Sequence, residues 1–247
     1  MRRFNDKIVL VTGGNSGIGL DAAMAFAREG ARVVITGRNQ QTLDRAVEAI
    51  GKGTLGIKAD SAQVSEIERV MDAVRQRHGR LDTLFVNAGV CAFSDIDAVS
   101  EDEWDWIQDV NLKGAFFTIQ KALALLVDGG SIVINSSAAH IKGFGRNNVY
   151  AASKGGLRSI TRTAALALAP RNIRVNMVSP GAIDTPILDR TAGAPPADEA
   201  MEMFASLSPL GRVGEPREVS APVLFLASDD ASYITGQDLV ICGGATC

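Results

Sequence analysis

The feature that most constrains the fold is a short apolar run that leads directly into a glycine-rich loop. Residues 8–11, Ile-Val-Leu-Val, are continuously apolar, which is typical of a strand buried on both faces of a parallel sheet. The loop at 12–19 follows, and then a helical pattern at 20–28 that Gly30 ends. This order favours a pyrophosphate site, because glycines allow close approach and the helix N-terminus presents amides to an anion. A purely structural turn is the alternative.

Apolar runs and amphipathic helical patterns alternate along the rest of the chain. Strands are predicted at 32–36, 54–57, 83–86, 131–135, 173–178 and 237–242. Helices are predicted at 40–50, 64–78, 102–127, 148–169 and 216–227. The alternation predicts an α/β fold with a doubly wound, Rossmann-like parallel sheet of about seven strands, with right-handed crossovers and helices on both faces. We expect residues 1–247 to form a single domain.

One segment departs from the alternation. Residues 187–212 contain Gly193, Pro195 and Pro196 before a short amphipathic run at 199–207. An irregular insertion after the carboxyl end of a strand is well placed to act as a lid over a ligand, so we predict a substrate lid here. A variable surface loop is the alternative.

The charge and cysteine content exclude several classes of function. The 25 basic and 28 acidic residues give a net charge of -3, which offers no broad basic surface for nucleic acid or an anionic membrane. The N-terminal residues contain no apolar run long enough for a signal peptide or membrane span, so a cytoplasmic location is expected. Three cysteines, far apart in sequence, indicate neither a disulfide framework nor a metal site.

The end of the second predicted strand bears on cofactor choice. An acidic residue there, about 20 residues beyond the glycine loop, would bind the ribose hydroxyls of NAD. The sequence instead has Gly37 and Arg38, and an arginine can bind a phosphate, so NADP(H) is favoured over NAD(H). An exposed arginine at a helix start is the alternative. Asp60, at the end of the next strand, could meet an adenine amino group or simply cap a helix.

A tyrosine and a lysine four residues apart form the candidate catalytic pair. In a helix over 148–169, Tyr150 and Lys154 share one face, so an ammonium can lie beside the phenol and lower its pKa. Ser137 precedes the tyrosine at the end of a predicted strand. Asn111 lies within an apolar helical pattern, where its amide needs a polar partner.

Together these motifs resemble the short-chain dehydrogenase/reductase family over essentially the whole chain. The matching residues are Thr12-Gly13-x-x-x-Gly17-Ile18-Gly19, Asn87-Ala88-Gly89, Asn111, Ser137, Tyr150-x-x-x-Lys154, Asn176, Pro180-Gly181 and Thr185. The resemblance implies that Tyr150 is the general acid/base and that Ser137 holds the substrate oxygen. It also implies that Lys154 binds the nicotinamide ribose and lowers the pKa of the tyrosine, and that Asn111 supports a water relay.

The resemblance also implies a cofactor site and an assembly. The expected cofactor-binding residues are Thr12, Gly13, Asn15, Ser16, Gly17, Ile18, Gly19, Arg38, Asp60, Ser61, Asn87, Ala88, Gly89, Tyr150, Lys154, Pro180, Gly181, Ile183 and Thr185. A homotetramer is expected, built from helices 102–127 and 148–169 and the last strand. Val86 replaces a common asparagine and Cys242 a usual aspartate, and the second change lies near the family's subunit contacts.

The candidate substrate pocket is mostly apolar. Its expected lining is Cys91, Phe93, Ala138, Ala139, His140, Phe144, Ile187, Leu188 and Met203. His140 could orient a substrate oxygen or be only a neighbour. We therefore expect an NADP(H)-dependent ketoreductase for a hydrophobic or aromatic ketone. The alternatives are a sugar or polyol dehydrogenase, a β-ketoacyl carrier-protein reductase and, more remotely, a non-catalytic nicotinamide-sensing protein.

Overall fold

A computed structural model describes residues 2–187 and 190–247 of the chain. The strands within these residues are β1 Ile8–Val11, β2 Arg32–Gly37, β3 Leu55–Lys58, β4 Leu81–Val86, β5 Leu126–Asn135, β6 Arg174–Pro180 and β7 Asp238–Ile241. They form one parallel sheet in the order β3-β2-β1-β4-β5-β6-β7. The strand order changes direction between β1 and β4, which is where doubly wound sheets open a crevice for ligands.

The helices cover both faces of this sheet. They are α1 Gly17–Arg28, α2 Gln40–Ile50, α3 Val64–His78, α4 Glu101–Gln108, α5 Gly114–Ala122, α6 Asn148–Leu168, α7 Ala197–Leu207 and α8 Pro216–Ala227. Phe26 of α1 and Val223 of α8 belong to one apolar core. Val70 of α3 and Leu157 of α6 belong to the other core. The predicted α/β fold with helices on both faces is confirmed.

The apolar strands are explained by these two cores. Along β1, Leu10 packs into the core of α3 and α6, whereas Val9 and Val11 pack into the core of α1 and α8. Along β4, Leu84 and Phe85 divide between the cores in the same way. Because successive side chains point to opposite faces, a strand covered on both sides needs an apolar residue at every position.

The predicted helix over 102–127 is wrong in two respects. It is interrupted by a π-helical segment, Asp109–Lys113, and it ends at Ala122. β5 then begins at Leu126 rather than at Ser131. The register against β4 shifts within this strand, and Gly129 and Gly130 lie inside β5 where the shift occurs. The apolar residues after Ala122 mimic helical spacing, but sheet pairing determines their structure.

No helix in the described ranges, 2–187 and 190–247, combines the length and the apolar character required to cross a membrane.

Candidate active site

A cavity of about 1200 Å³ opens at the carboxyl ends of the strands. Pockets that bind one drug-sized ligand usually measure about 300–1,000 Å³, so this cavity has room for a dinucleotide and a second, smaller molecule. The loops that follow β1 to β6, residues of the 187–212 segment and the C-terminal residues 242–247 all contribute to its lining. The sequence motifs predicted a ligand site at this edge of the sheet.

The glycine loop presents an uncapped helix end to the cavity. Gly17 has φ +53°, and a Cβ at this position would lie 3.1 Å from a methyl carbon of Thr185. Ser16 precedes α1 without a capping side-chain hydrogen bond, and the first turn contains no acidic residue. The first amides of α1 therefore remain available to an anion, with the positive end of the helix dipole behind them. These residues fit the pyrophosphate of a nicotinamide dinucleotide.

Thr12 lies beneath this loop and does not line the cavity. Its hydroxyl oxygen accepts hydrogen bonds from the backbone amides of Asn87 at 2.9 Å and Ala88 at 3.1 Å. The Asn87 side chain donates back to the carbonyl oxygens of Thr12 at 3.0 Å and Gly13 at 3.2 Å. Thr12 therefore ties the end of β1 to the end of β4, which corrects the expectation of direct cofactor contact.

The residues expected around the adenosine end do line the cavity. Gly37 ends β2 and Arg38 follows it, and Arg38 is exposed. Asn15 lies against them, with its side-chain nitrogen donating to the Thr42 hydroxyl at 2.8 Å. Asp60 also lines the cavity, but one carboxylate oxygen accepts from the Ala62 amide at 3.0 Å. Asp60 does not cap α3, because Gln63 is the residue that precedes this helix, and its place in the cavity lining leaves the adenine contact as a prediction.

The structure brings Ser137, Tyr150 and Lys154 together on one wall of the cavity. Lys154 Nζ lies 5.3 Å from the centre of the Tyr150 ring and donates to the Asn135 carbonyl oxygen at 2.9 Å. Ser137 Oγ accepts from the Ala139 amide at 3.2 Å, and its hydroxyl is near enough to Tyr150 to lower the pKa of the phenol. The serine, phenol and ammonium therefore line the same cavity.

The pKa of Tyr150 is raised, contrary to the expected lowering by Lys154. Burial of the phenol is the largest cause, Cys91 acts in the same direction, and the hydrogen bond with Ser137 opposes both. Lys154 is itself buried, and this burial lowers the pKa of its ammonium to about 8. The four-residue spacing correctly predicts the contact between Lys154 and Tyr150, but it does not indicate how deeply the two side chains are buried.

Asn111 lies in the π-helical segment and is fully hydrogen-bonded. Its Oδ1 accepts from the Val90 amide at 2.8 Å, and its Nδ2 donates to the Val90 carbonyl oxygen at 2.9 Å. Nδ2 also donates to Ser153 Oγ at 3.1 Å. These are the polar partners that an amide in an apolar helix requires, and they fix the loop after β4 against α6. π-helical segments occur frequently at functional sites because they shift the backbone hydrogen-bond pattern.

The remaining cofactor positions lie at the same edge. Those that line the cavity are Gly13, Ile18, Gly19, Ser61, Ala88, Gly89, Pro180, Gly181, Ile183 and Thr185. The expected substrate residues that line it are Cys91, Phe93, Ala138, Ala139, Phe144 and Ile187. Leu188 lies outside the described residues.

Two expected substrate residues do not line the cavity. The His140 ring is buried away from it, with Nε2 2.9 Å from Asp238 Oδ2 and 3.1 Å from Ser179 Oγ. Met203 is 46% exposed on α7, whereas Ala200 on the packed side of this helix is fully buried. His140 instead hydrogen-bonds polar partners distant in sequence, and the Met203 side chain is largely exposed to solvent.

Several lining residues were not anticipated from the sequence. They are Trp106, Val110, Asn135, Asn147, Arg190, Met201, Phe204 and Leu207, together with the C-terminal residues from Cys242 to Cys247. Trp106 and Val110 are four residues apart across α4 and the π-helical segment, and Phe204 and Leu207 are three apart in α7, so helical spacing is a signal that could have found them. The C-terminal residues offered no comparable signal, because only the fold brings them beside the loop after β6.

Comparisons with known proteins agree with this geometry. A family model described as "Enoyl-(Acyl carrier protein) reductase" matches residues 13–246. The chain is 40% identical to a 3-oxoacyl-(acyl-carrier-protein) reductase of Thermotoga maritima, covering 98% of both proteins. It is 38% identical to a cyclopentanol dehydrogenase of Comamonas sp., covering 100% of this chain and 99% of that protein. A short-chain dehydrogenase/reductase structure from Serratia marcescens superposes with TM-score 0.93 at 33% identity, covering 99% and 100% of the two chains.

The chain belongs to the short-chain dehydrogenase/reductase family, whose oxidoreductases use a nicotinamide cofactor. Its relatives indicate carbonyl/alcohol oxidoreduction as the type of chemistry.

Proposed function

We propose that this chain is an NADP(H)-preferring oxidoreductase that interconverts a carbonyl compound and a secondary alcohol. The observation that carries the proposal is the meeting of Ser137, Tyr150 and Lys154 on the wall of a cavity that also contains the uncapped start of α1. Hydride transfer to a carbonyl needs a proton donor and a hydrogen-bond donor at the oxygen, and this wall supplies both.

Tyr150 is the general acid/base in this proposal. When bound, the nicotinamide supplies or accepts the hydride. The raised pKa keeps Tyr150 protonated at neutral pH, which is the form needed to donate a proton to a carbonyl oxygen. Ser137 Oγ accepts from the Ala139 amide, so its hydroxyl hydrogen remains available to the same oxygen as negative charge develops there.

Lys154 and Asn111 take supporting roles in this proposal. The carbonyl oxygen of Asn135 fixes the Lys154 ammonium beside the tyrosine ring, where it would hold the nicotinamide ribose. Asn111 would support proton exchange with solvent through the π-helical segment, because this segment changes which backbone groups are free to bind water.

The preference for NADP(H) is supported by the end of β2. Gly37 and Arg38 are followed by Asn39, whose side chain caps α2 by accepting from the Thr42 amide at 3.0 Å. A guanidinium here can bind the phosphate that distinguishes NADP(H), and the exposure of Arg38 leaves it free to do so.

The substrate in this proposal is a hydrophobic or aromatic ketone or its alcohol. Phe93, Trp106, Phe144 and Phe204 give the cavity lining a partly aromatic character. A β-ketoacyl carrier-protein reductase is the second candidate, because the 3-oxoacyl-(acyl-carrier-protein) reductase of Thermotoga maritima is 40% identical to this chain. The apolar aromatic lining offers less support for a sugar or polyol.

We also propose that residues 187–212 form a lid and that the chain assembles as a homotetramer. The amide of Phe93 donates to the Ala192 carbonyl oxygen at 2.8 Å, which joins this segment to the cavity wall. Exposed apolar side chains beside the last strand, Leu166 at 79% and Tyr233 at 103%, support burial against a second copy.

Steady-state kinetics with NADPH and NADH on a carbonyl panel test the function. The panel contains an aromatic ketone, a cyclic ketone, a ketose and an acetoacetyl thioester. We expect the largest kcat/KM with NADPH and an aromatic or cyclic ketone. A dominant rate on the thioester would favour the second candidate. Stoichiometric cofactor binding without turnover of any member would favour a nicotinamide-sensing protein.

A further inference from the structure

Asn147 is a helix-capping residue whose side chain does not cap its helix. It immediately precedes α6, and its side chain makes no hydrogen bond with the first amides of that helix. Asparagine is favoured at this position because its oxygen usually accepts from the second or third helical amide. Asn147 is only 7% exposed and lines the cavity instead. Its amide is therefore available to a ligand.

Cys91 determines which end of the amide faces the ligand. The Cys91 thiol lies 3.6 Å from Asn147 Oδ1 and 3.8 Å from the Ala92 carbonyl oxygen, and its one hydrogen can be donated to either. Burial raises the pKa of Cys91 to about 12, so the thiol keeps its proton at neutral pH and can act only as a donor toward this oxygen. With Oδ1 directed at the thiol, Nδ2 points elsewhere. Across residues 2–187 and 190–247, Nδ2 has no hydrogen-bond partner.

The position of this amide relates it to the reacting carbonyl. Asn147 precedes Tyr150 by three residues, so the two side chains share one side of the start of α6. The apolar side chains of Val110 and Phe144 also line the cavity. Nδ2 is not fully buried, so it opens to the cavity, where a ligand can accept a hydrogen bond from it.

We propose that Asn147 is a specificity-determining residue whose Nδ2 donates a hydrogen bond to a second oxygen of the substrate. This inference rests on the proposed function, because it places that oxygen near the carbonyl reduced at Tyr150. The substrate class is then a dicarbonyl or hydroxyketone with an apolar body, carrying its second oxygen one or two carbons from the reacting carbon. Cys91 is a positioning residue that acts through the amide of Asn147.

A matched pair of ketones isolates this hydrogen bond. 1-Phenylpropan-2-one and 1-phenylpropane-1,2-dione differ only in a methylene that becomes a carbonyl. The measured quantity is the ratio of kcat/KM for the dione to that for the monoketone. Because the dione is intrinsically more reactive, the ratio is compared between the wild-type chain and each variant, so that the intrinsic difference cancels.

We expect the ratio to fall at least tenfold in Asn147→Leu and in Asn147→Asp, which keeps the shape of the amide but loses the donor. Cys91→Ala should lower the ratio by a smaller factor, since the amide can then rotate, and Cys91→Ser should restore it because a hydroxyl also donates. The serine rescue separates a positioning role from a loss of packing, which would lower both rates together.

A ratio that stays within twofold of the wild-type value in Asn147→Asp would overturn the inference. Equal ratios in Cys91→Ala and Cys91→Ser would overturn the positioning role of the thiol. If Asn147→Leu does not fold, as judged by NADPH binding, the aspartate and cysteine variants decide the outcome. Wild-type protein that reduces neither ketone would refute the proposed function itself, which is a distinct result.

Discussion

Replacing Arg38 by aspartate tests the proposed cofactor preference. Arg38 follows Gly37 at the carboxyl end of β2 and lines the cavity, so its guanidinium can form charge-assisted hydrogen bonds with a 2′-phosphate. One hydrogen bond to a charged group contributes about 1.5–3 kcal/mol, which corresponds to about 10- to 150-fold in affinity. Arg38 is exposed, so solvent screening favours the lower end of this range.

Arg38→Asp removes this attraction and adds repulsion between its carboxylate and the phosphate. The new carboxylate can also accept from the ribose hydroxyls of NAD(H). We expect the ratio of kcat/KM with NADPH to that with NADH to fall by about two orders of magnitude. Loss of the contact contributes about tenfold, and the reversed charge contributes a similar factor.

The assay is cofactor oxidation at a saturating concentration of the best ketone, followed by absorbance. Arg45→Asp is the matched control, because Arg45 is an exposed residue of α2 outside the cavity and its replacement changes the net charge equally. A strong NADPH preference retained by Arg38→Asp would refute the reasoning. An equal loss in both variants would assign the effect to net charge.

Three further predictions concern titration and packing. Since burial lowers the pKa of Lys154 to about 8, cofactor affinity measured by calorimetry should weaken as pH rises through about 8, and Lys154→Gln should abolish this dependence. Burial opposes ionisation of Cys242, but hydrogen bonds from residues 244–246 lower the pKa of its thiol, whereas burial raises the pKa of Cys91. Iodoacetamide at pH 7.5 should therefore alkylate Cys242 before Cys91, as followed by mass spectrometry. His140→Ala should lower the free energy of unfolding by about 1–3 kcal/mol, measured by urea denaturation, because it removes a buried hydrogen bond and leaves the Asp238 carboxylate with Ser179 alone.

Each of these has an outcome that contradicts it. A flat pH dependence of cofactor affinity between pH 7 and 9 would show that the Lys154 charge does not change in this range. Alkylation of Cys91 at the same rate as Cys242 would contradict the assigned environments of both thiols. An unchanged urea midpoint for His140→Ala would show that the buried ring and its hydrogen bond contribute nothing net to stability.

The order of strands and helices could be predicted because local sequence carries it. The run at residues 8–11 is apolar at every position, which only a strand covered on both faces requires, and α8 begins at a proline. The start of β5 could not be found in this way. Residues 123–127 continue the apolar spacing of α5, and only their pairing with β4 assigns part of them to the sheet.

The parts of the candidate site that depend on motif spacing could be predicted from the sequence. The side-chain positions and pKa shifts that depend on tertiary contacts could not. The contact of Lys154 with Tyr150 follows from a four-residue interval on a helix. The direction of the Tyr150 pKa shift does not, because it depends on how the cavity wall excludes water. His140 was misplaced because its partner, Asp238, lies 98 residues away in sequence. Asn147 was missed because an asparagine before a helix usually indicates only a cap.

Tyr150→Phe, with NADPH binding measured in parallel, tests the central claim most directly. The variant keeps the ring and removes the hydroxyl hydrogen that the proposed mechanism transfers. A positioned general acid contributes about 10²–10⁴-fold, so kcat for ketone reduction should fall at least 100-fold while the NADPH dissociation constant stays within about threefold of the wild-type value. Ketone reduction at near wild-type rate by a variant that binds NADPH normally would contradict the assignment of Tyr150 as the proton donor.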